Sequence, residues 1–276
     1  PYSQNLNLQV GMVGFTITTK SEYSVDKNFT FGFSQDITPV NSNASTYRYT
    51  KGSRDETLNF ENSSYLFQSY IRKKRIEDWI SQYSIIFLNE KVTKTAIDKY
   101  WDKPHIGLSI LETWRSTDYE DFFNNRWNGL KFSGKLEIFP MNNSWYRGNI
   151  AGGTAYFKKP WHWIISGRLF FSENLNIVNQ HVIGGPWELD LLNFMQGSRY
   201  GEHRIHKGIL LNIRTDYAFN EAIELGIRMS LLSKGNESHL GYGIKMITIH
   251  EGLVFNIGLS LSDETLKNKE LKQIII

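Results

Sequence analysis

The chain has 276 residues, and its 31 Lys and Arg against 28 Asp and Glu give a net charge of +3. A balanced charge disfavours nucleic acid as a partner, because nucleic-acid-binding domains concentrate Lys and Arg on one face. The absence of cysteine excludes disulfide bonds, thiolate metal sites and a catalytic cysteine. No run of about 18 apolar residues is present, which excludes a helical membrane protein. No signal peptide opens the sequence, so we expect a mature or trimmed form of any exported protein.

Apolar and polar residues alternate with a period of two along most of the chain, which predicts β-strands. Eight strands are predicted in the first part of the chain, at 5–17, 26–35, 57–72, 79–91, 105–115, 127–139, 145–157 and 160–172. Four more are predicted in the second part, at 205–217, 221–232, 239–248 and 253–261. Several of these segments are as long as the roughly 9–11 residues that a tilted strand needs to cross a bilayer.

The connections between these strands tend to alternate in length. Those at 157–160, 218–221 and 250–252 are tight, whereas those at 36–56, 92–104 and 174–204 are long. Short turns at one end and long loops at the other are typical of outer-membrane β-barrels. The connection 116–126 breaks this alternation, and we expect it to be a long connection with room for a short helix.

The composition of the two strand faces separates a membrane barrel from a soluble one. In 221–232 one face carries Ile223, Leu225 and Ile227, and the other carries Glu224 and Arg228. A soluble sandwich or lipocalin-like barrel, the alternative fold, turns its apolar face inward. Polar second faces on long strands favour a transmembrane antiparallel β-barrel with a polar interior. Aromatic residues near the strand ends are predicted to form the girdle of such a barrel at the membrane interface: Trp127, Trp145, Trp161, Tyr217 and Tyr242.

The segment "IGGPWELDLLNFMQGSRYGE" (183–202) lies in the longest connection and precedes the amphipathic strand "ILLNIRTDYAF". Together they resemble the C-terminal barrel of the BamA/Sam/two-partner-secretion superfamily, the bacterial surface antigen family. The matching positions are a Gly-Gly pair, a core glycine, a downstream R-Y-G-E and two charges on the next strand: Gly184, Gly185, Gly197, Arg199, Tyr200, Gly201, Glu202, Arg214 and Asp216. The arginine and the aromatic residue of the family motif are replaced by Gln196 and Ser198. This variant is more similar to the barrels fused to patatin-like lipases, or to other divergent members, than to the core assembly machines of the superfamily.

The resemblance implies a barrel of up to sixteen strands, in which this loop follows the eleventh. About twelve strands are visible here, and "LKQIII" would open the last one. We therefore expect one barrel domain over 1–276, which is either a fragment that lacks upstream strands or periplasmic domains and the end of the last strand, or a smaller relative with about twelve strands.

The resemblance also implies that the loop 174–204 folds into the lumen as a plug, since side chains alone cannot fill a wide barrel. Arg199 would then pair with a carboxylate of the wall, Asp216 or Glu224, where Arg214 and Arg228 share the polar face. The alternative is a mobile external loop with solvated charges.

By resemblance, the function is insertion of proteins into the outer membrane or their translocation across it, or anchoring of such a system. The expected partners are outer-membrane lipid, a client or secreted protein, and accessory lipoproteins or periplasmic domains, with no nucleic acid. A lipid-modifying outer-membrane enzyme and a passive pore are the alternatives.

The histidine residues give little support to a catalytic or metal-binding site, and one basic run is a candidate for lipid contact. Two Ser–His pairs, Ser238 with His239 and Ser166 with His162, lie in no recognisable motif, so no catalytic residue is predicted. His203 and His206 lack a third ligand at a suitable spacing, so no metal or cofactor is predicted. The run "IRKKRIED" (71–78) is expected to be a solvated turn next to the membrane, or a site for lipid phosphate.

Overall fold

The computed structural model describes most of the chain, namely residues 2–11, 14–41, 49–50, 53–54, 61–76, 78–93, 104–121, 126–140, 144–175, 179–184, 195–196, 198, 202–220, 223–250, 253–263 and 273–275. Strands account for nearly all of these residues. Within the described ranges no helix is long and apolar enough to cross a membrane.

The strands of the first part of the chain are β1 (Tyr2–Gly11), β2 (Gly14–Ser24), β3 (Phe29–Asn41), β4 (Tyr49–Thr50), β5 (Ser53–Arg54), β6 (Glu61–Ile76), β7 (Trp79–Thr93), β8 (His105–Asp121) and β9 (Arg126–Phe139). Those of the second part are β10 (Trp145–Lys158), β11 (Trp161–Glu173), β12 (His181–Ile183), β13 (His203–Ile205), β14 (Gly208–Ala218), β15 (Ile223–Lys234), β16 (Glu237–His250), β17 (Leu253–Ser262) and β18 (Gln273–Ile275).

Fourteen of these strands form one sheet, in the order β1-β2-β3-β6-β7-β8-β9-β10-β11-β14-β15-β16-β17-β18. The pairs whose register is resolved are antiparallel neighbours along the chain. The short strands pair separately, β4 with β5 and β12 with β13, inside two of the long connections. An all-β antiparallel fold is therefore confirmed.

Several predicted strand boundaries were wrong; β3, for example, continues to Asn41 instead of ending at 35. Two of the differences change the assignment of strands. The segment 5–17 covers parts of β1 and β2, because Gly11 pairs with Gly14 and the alternation continues through the hairpin. Nine strands of the sheet therefore precede the long loop, instead of the eight predicted. The segment 205–217 also begins too early, since His203–Ile205 pairs with His181–Ile183 within the loop and β14 starts at Gly208.

The connection 116–126 was also interpreted wrongly. Residues 116–121 extend β8, and β9 begins at Arg126, so only 122–125 lie between the two strands. The segment has weak apolar alternation, and pairing with neighbouring strands overrides that weak local signal. Gly129 supports this pairing, because a Cβ there would overlap the carbonyl oxygen of Ser116 on β8.

With these corrections, every second connection in the sheet is short. At one end of the strands the connections contain two to four residues each: 25–28, 77–78, 122–125, 159–160, 219–222 and 251–252. At the other end the connections range from two residues, at 12–13 and 235–236, to the longest one, at 174–207. All connections at the first end are therefore tight, and every long connection lies at the second end together with two tight turns.

The two faces of the sheet are reversed relative to a soluble protein. Along β15 the apolar residues are exposed, with Ile227 at 66%, and the intervening Glu224, Arg228 and Ser230 are at most 5% exposed. The same phase holds along β14, where Ile213 is exposed and Arg214 is buried. The sheet thus turns its apolar side chains outward and buries its polar ones, as predicted for a barrel in lipid.

Residues group into two compact units by proximity. The first comprises 1–114, 133–149 and 171–180, and its apolar cluster contains Ile86, Leu88, Phe139, Trp145 and Leu175. Trp145 was expected in the interfacial girdle, but it is buried on the inner face and stacked on Phe139, with ring centroids 4.0 Å apart.

The second unit comprises 115–132, 150–170 and 181–276. Its main apolar cluster contains Phe170, Ile183, Met195, Ile205, Leu210 and Leu232. Trp161 and Tyr242 are exposed as predicted for girdle residues, at 49% and 42%. The side chain of Trp127 lies outside the described residues.

Candidate functional site

The tip of the long loop, defined here as Met195, Gln196 and Ser198, lies against the polar face of the second unit. The Gln196 backbone N–H donates to Ser230 Oγ on β15 (3.1 Å), and the Ser230 hydroxyl donates to Asn212 Oδ1 (2.6 Å). From β17 the Ser260 hydroxyl donates to Gln196 Oε1 (2.6 Å). The backbone N–H and the side-chain oxygen of Gln196 both have partners on the strands, as expected for buried polar atoms.

Two glycines of β16 make room for this contact. A Cβ at Gly241 would overlap the Gln196 carbonyl oxygen, and a Cβ at Gly243 would overlap its side-chain oxygen. Both positions lie on the polar face, so any other residue there would push the loop tip off the strand. Gly241 and Gly243 therefore form a seat that is shaped for Gln196.

The remaining tip residues fix the loop through packing and one further hydrogen bond. Met195 is fully buried within the apolar cluster of the second unit. Ser198 Oγ is 3.0 Å from His203 Nε2, and the ring of His203 lies 4.7 Å from that of His239 on β16. Apolar burial thus accompanies the polar contacts of Gln196.

The root of the same loop, defined as Asn174, Leu175 and Asn179, is held in the first unit. Asn179 Nδ2 donates to Glu90 Oε2 on β7 (2.8 Å), and Arg147 Nη1 on β10 donates to the Asn179 carbonyl oxygen (3.3 Å). Leu175 packs in the apolar cluster of this unit. The loop root is therefore anchored to two strands.

Charged residues of the wall complete the root anchor. Arg147 Nε donates to Glu137 on β9, and Lys135 Nζ lies 2.8 Å from the other oxygen of that carboxylate. Glu90 and Glu137 are both at most 7% exposed. Arg147 is thus the cation that faces two buried carboxylates and a loop carbonyl at once.

Asp216 forms a second charged cluster, which consists of wall residues. Its carboxylate contacts Arg214 Nε (2.5 Å) and Arg228 Nη1 (2.6 Å), and His162 Nδ1 lies 3.6 Å away. His162 and Gly226 stand directly opposite Asp216 on the two neighbouring strands. A Cβ at Gly226 would overlap Asp216 Oδ1, so the glycine leaves space for the ion pair.

The predicted site residues are only partly described. Five of them lie outside the described residues: Gly185, Gly197, Arg199, Tyr200 and Gly201. Gly184 is described and has a φ of +114°, a backbone conformation that favours glycine. Glu202 is half-buried, and Glu224 is buried on the polar face of β15. The pairing of Arg199 with Asp216 or Glu224 stays a prediction, although Asp216 already has Arg214 and Arg228 as partners.

Comparison with known proteins rests on structure, because no protein-family model and no curated protein sequence matches the chain. The fold matches the crystal structure of BamA from Haemophilus ducreyi lacking POTRA domains 1-3, with a TM-score of 0.74 at 8% identity. The match covers 95% of this chain and 61% of that one. This chain has the fold of the BamA barrel. It is a transmembrane antiparallel β-barrel, and it spans about three fifths of the length of the BamA chain that it matches.

The barrel fold indicates which face of the sheet contacts lipid and which face lines the interior. The exposed apolar face is the lipid-facing surface, and the buried polar face lines the interior. The described loop residues lie on that interior face, in contact with wall residues of β7, β10, β15 and β17.

The histidine of each Ser–His pair weighed in the sequence lies near a carboxylate. His239 Nε2 is 3.6 Å from a Glu237 oxygen, and His162 Nδ1 is 3.6 Å from an Asp216 oxygen. Ser198 and His203 are within hydrogen-bonding distance, but Ser198 is 1% exposed and out of reach of a lipid substrate. Within the part of the chain that the structure describes, no three His, Asp or Glu side chains are grouped as metal ligands.

Sequence reasoning missed the root anchor and the glycine seat. In the sequence, Glu137 alternates with the apolar residues of β9, which already assigns it to the inner face. Gly241 and Gly243 are assigned to the inner face in the same way, because they alternate with the apolar residues of β16. The partners of these residues depend on strand register and on the path of the loop, which alternation alone does not provide.

Proposed function

We propose that this chain is an integral outer-membrane barrel that inserts proteins into the outer membrane or translocates them across it, or that anchors such a system. The observation that carries this proposal is the match to the BamA barrel over 95% of the chain. The proposal includes one barrel domain over 1–276 in a Gram-negative-type envelope, working with accessory lipoproteins or periplasmic domains. The G-S-R-Y-G-E variant at 197–202 supports a divergent member of the superfamily, close to the barrels fused to patatin-like lipases.

In this proposal the loop 174–204 plugs the lumen. The anchoring of the loop root by Asn179 and of the loop tip by Gln196 supports a loop that is held inside. A plug keeps the membrane sealed while the barrel wall remains available to a client.

The client would be recognised at an edge of the sheet. Strand β1 stands at one end of the sheet order and pairs with β2 over ten residues, whereas β18 at the other end pairs with β17 over three. An edge strand offers unpaired N–H and C=O groups to an incoming strand. Among the described strands β1 pairs only with β2, and we propose that a client strand adds to the side of β1 opposite β2 by β-augmentation.

Site-specific cross-linking tests this proposal, since the chain contains no cysteine. The Leu6→Cys variant places a thiol on β1, and the matched Ile227→Cys variant places one within the sheet on β15. Both side chains are well exposed, at 75% and 66%. Each variant is reconstituted into liposomes and given an unfolded outer-membrane barrel that carries one cysteine in its last strand.

We expect a disulfide-linked product from Leu6→Cys and only background from Ile227→Cys. The same liposomes should fold the client faster than empty liposomes do, as followed by gel mobility. Equal cross-linking from both positions would show that contact with the client is non-specific. An unchanged client folding rate would contradict the insertion function itself.

A further inference from the structure

At the short-turn end of four strands of the first unit, the outward-facing positions of one register row hold a ring, a lysine, a buried serine and a glutamate. Phe29, Lys73, Ser81 and Glu112 are aligned across β3, β6, β7 and β8 by the strand register. We call this set the headgroup row.

The headgroup row marks the boundary of the apolar surface. Two residues further into each strand, the aligned residues are Phe31, Ile71, Tyr83 and Ile110, all between 41% and 46% exposed. Two residues correspond to about 7 Å along a strand. On β6 and β8 the outward-facing side chain therefore changes from apolar to charged at one depth, as at the edge of the hydrocarbon layer.

A carboxylate is held within this boundary. Trp79 Nε1 and the Ser81 hydroxyl both donate to Glu112 Oε2, each at 2.7 Å. A carboxylate has about four acceptor sites, so Oε1 keeps capacity for a further donor. A charge on the lipid face is costly at the bilayer centre but not at headgroup depth.

Two cations lie beside that carboxylate. The Lys73 ammonium sits over the ring of Phe29 at 5.3 Å, and among the residues that the structure describes no carboxylate pairs with it. Arg75 lies over the ring of Trp79 and donates from Nη2 to the Tyr83 hydroxyl (2.7 Å). Arg75 Nη2 is also 3.6 Å from Glu112 Oε1, so cation and carboxylate face the same space.

We propose that the headgroup row, together with Arg75, binds the headgroup of phosphatidylethanolamine in the periplasmic leaflet. Lys73 and Arg75 hold the phosphate, and Glu112 Oε1 accepts hydrogen bonds from the ammonium group. The short turns of such barrels face the periplasm, which places the row in that leaflet. Because Glu112 Oε1 is so close to Arg75, one headgroup can contact both.

The charge pattern separates this lipid from its competitors. Phosphatidylcholine has a quaternary ammonium without N–H donors, so it cannot donate to Glu112. Phosphatidylglycerol has a phosphate for Lys73 and Arg75 but no cation for Glu112. A site with both signs of charge at one depth therefore favours a zwitterionic headgroup with a primary ammonium.

The test is native mass spectrometry of the full chain, released from detergent micelles that contain the three lipids in equal amounts with identical acyl chains. We expect phosphatidylethanolamine to be retained about fivefold over phosphatidylcholine, the gain expected for one favourable charge contact near a membrane surface. The Glu112→Gln variant should abolish this preference and leave phosphatidylglycerol retention intact, because its amide oxygen still accepts from Trp79 and Ser81. The Lys73→Gln variant should lower retention of both phosphatidylethanolamine and phosphatidylglycerol.

The matched control is Lys158→Gln, which removes one exposed cation at a different short turn and should change nothing. Should Lys73→Gln fail to fold, Arg75→Gln examines the same phosphate contact. Equal retention of phosphatidylethanolamine and phosphatidylcholine by the unaltered chain would overturn the proposal. So would a preference that survives Glu112→Gln, or a loss in Lys158→Gln as large as that in Lys73→Gln. Client folding is not measured, so this result is independent of the transport proposal.

Discussion

The root and the tip of the long loop are held to the barrel wall by different interactions. At the root, Asn179 contacts Glu90 and Arg147, and Arg147 also pairs with Glu137, so the anchor is built from buried charges. At the tip, Gln196 contacts Ser230 and Ser260 through neutral hydrogen bonds and lies on a glycine seat.

This difference has an energetic consequence. A buried charge that loses its partner costs several kcal/mol, whereas a neutral hydrogen bond contributes about 1 kcal/mol. The root should therefore stay fixed whenever the barrel is folded, and the tip should detach at lower cost. Detachment of the tip would therefore leave the root anchor and the strands intact.

Breaking the charged root should have the largest effect. Arg147→Met leaves Glu90 and Glu137 buried without their shared cation, and we expect the free energy of unfolding to fall by about 3 kcal/mol. The value lies at the low end for buried pairs because Lys135 still contacts Glu137. Urea unfolding of the protein in lipid vesicles measures the change.

The control for this prediction is Lys135→Met, since Lys135 contacts only Glu137 of this cluster and its side chain is 41% exposed, against 30% for Arg147. A pair with a largely exposed cation contributes about 1 kcal/mol or less, so this variant should lose less stability than Arg147→Met. Equal losses in the two variants would contradict the assignment of Arg147 as the cation shared by Glu90, Glu137 and the loop carbonyl.

Filling the glycine seat should have the next largest effect, confined to the tip. Gly241→Ala places a methyl group on the Gln196 carbonyl oxygen, and we expect a loss of about 2–3 kcal/mol because that contact is with backbone. The tip should move off β16, so conductance in planar bilayers should rise.

Gly152→Ala is the matched control, because its added Cβ would make only ordinary contacts at 3.6 and 3.7 Å. Its conductance should equal that of the unaltered protein. Unchanged conductance in Gly241→Ala, in a folded barrel, would argue against a loop that blocks the lumen.

Removing the loop side of the root anchor should have a smaller effect than removing its cation. Asn179→Ala deletes the hydrogen bond to Glu90, and we expect a loss of about 1–2 kcal/mol. Amide hydrogen exchange at 179–184 should become faster while exchange in β15 and β16 is unchanged.

Asn174→Ala removes an exposed hydrogen bond to the Ser144 carbonyl oxygen and serves as the control. It should change exchange less than Asn179→Ala does. The reverse order would place the anchor at the start of the loop instead of at Asn179.

The contrast between root and tip also explains what could be predicted from sequence. Alternation along β15 was enough to assign Glu224 and Arg228 to the inner face, because a strand period of two is a local property. The family resemblance predicted Arg199 as the contact between this loop and the wall, and Arg199 lies outside the described residues. Among the described residues of the tip, the hydrogen bonds to strand residues are made by Gln196, which replaces the family arginine.

The parts that could not be predicted depend on distant pairing. Asn179 and Glu90 are 89 positions apart, and their contact requires the register of several strands at once. Trp145 was assigned to the girdle because it starts a strand, but its phase and its stacking on Phe139 put it inside. At the end of a strand, too few alternating residues are present to decide from sequence which face of the sheet a side chain occupies.

The smallest predicted effect concerns the neutral hydrogen bond of the tip. Ser260→Ala removes the donor to Gln196 Oε1, and we expect a loss of about 1 kcal/mol in the free energy of unfolding. Gln196→Ala should cost slightly more because it also empties volume beside Gly243. Since removing both partners leaves no unsatisfied group, the double variant should be more stable than the sum of the single losses implies. Strictly additive losses would mean that Ser260 and Gln196 do not interact, and the tip would then be held by Met195 packing and the glycine seat alone.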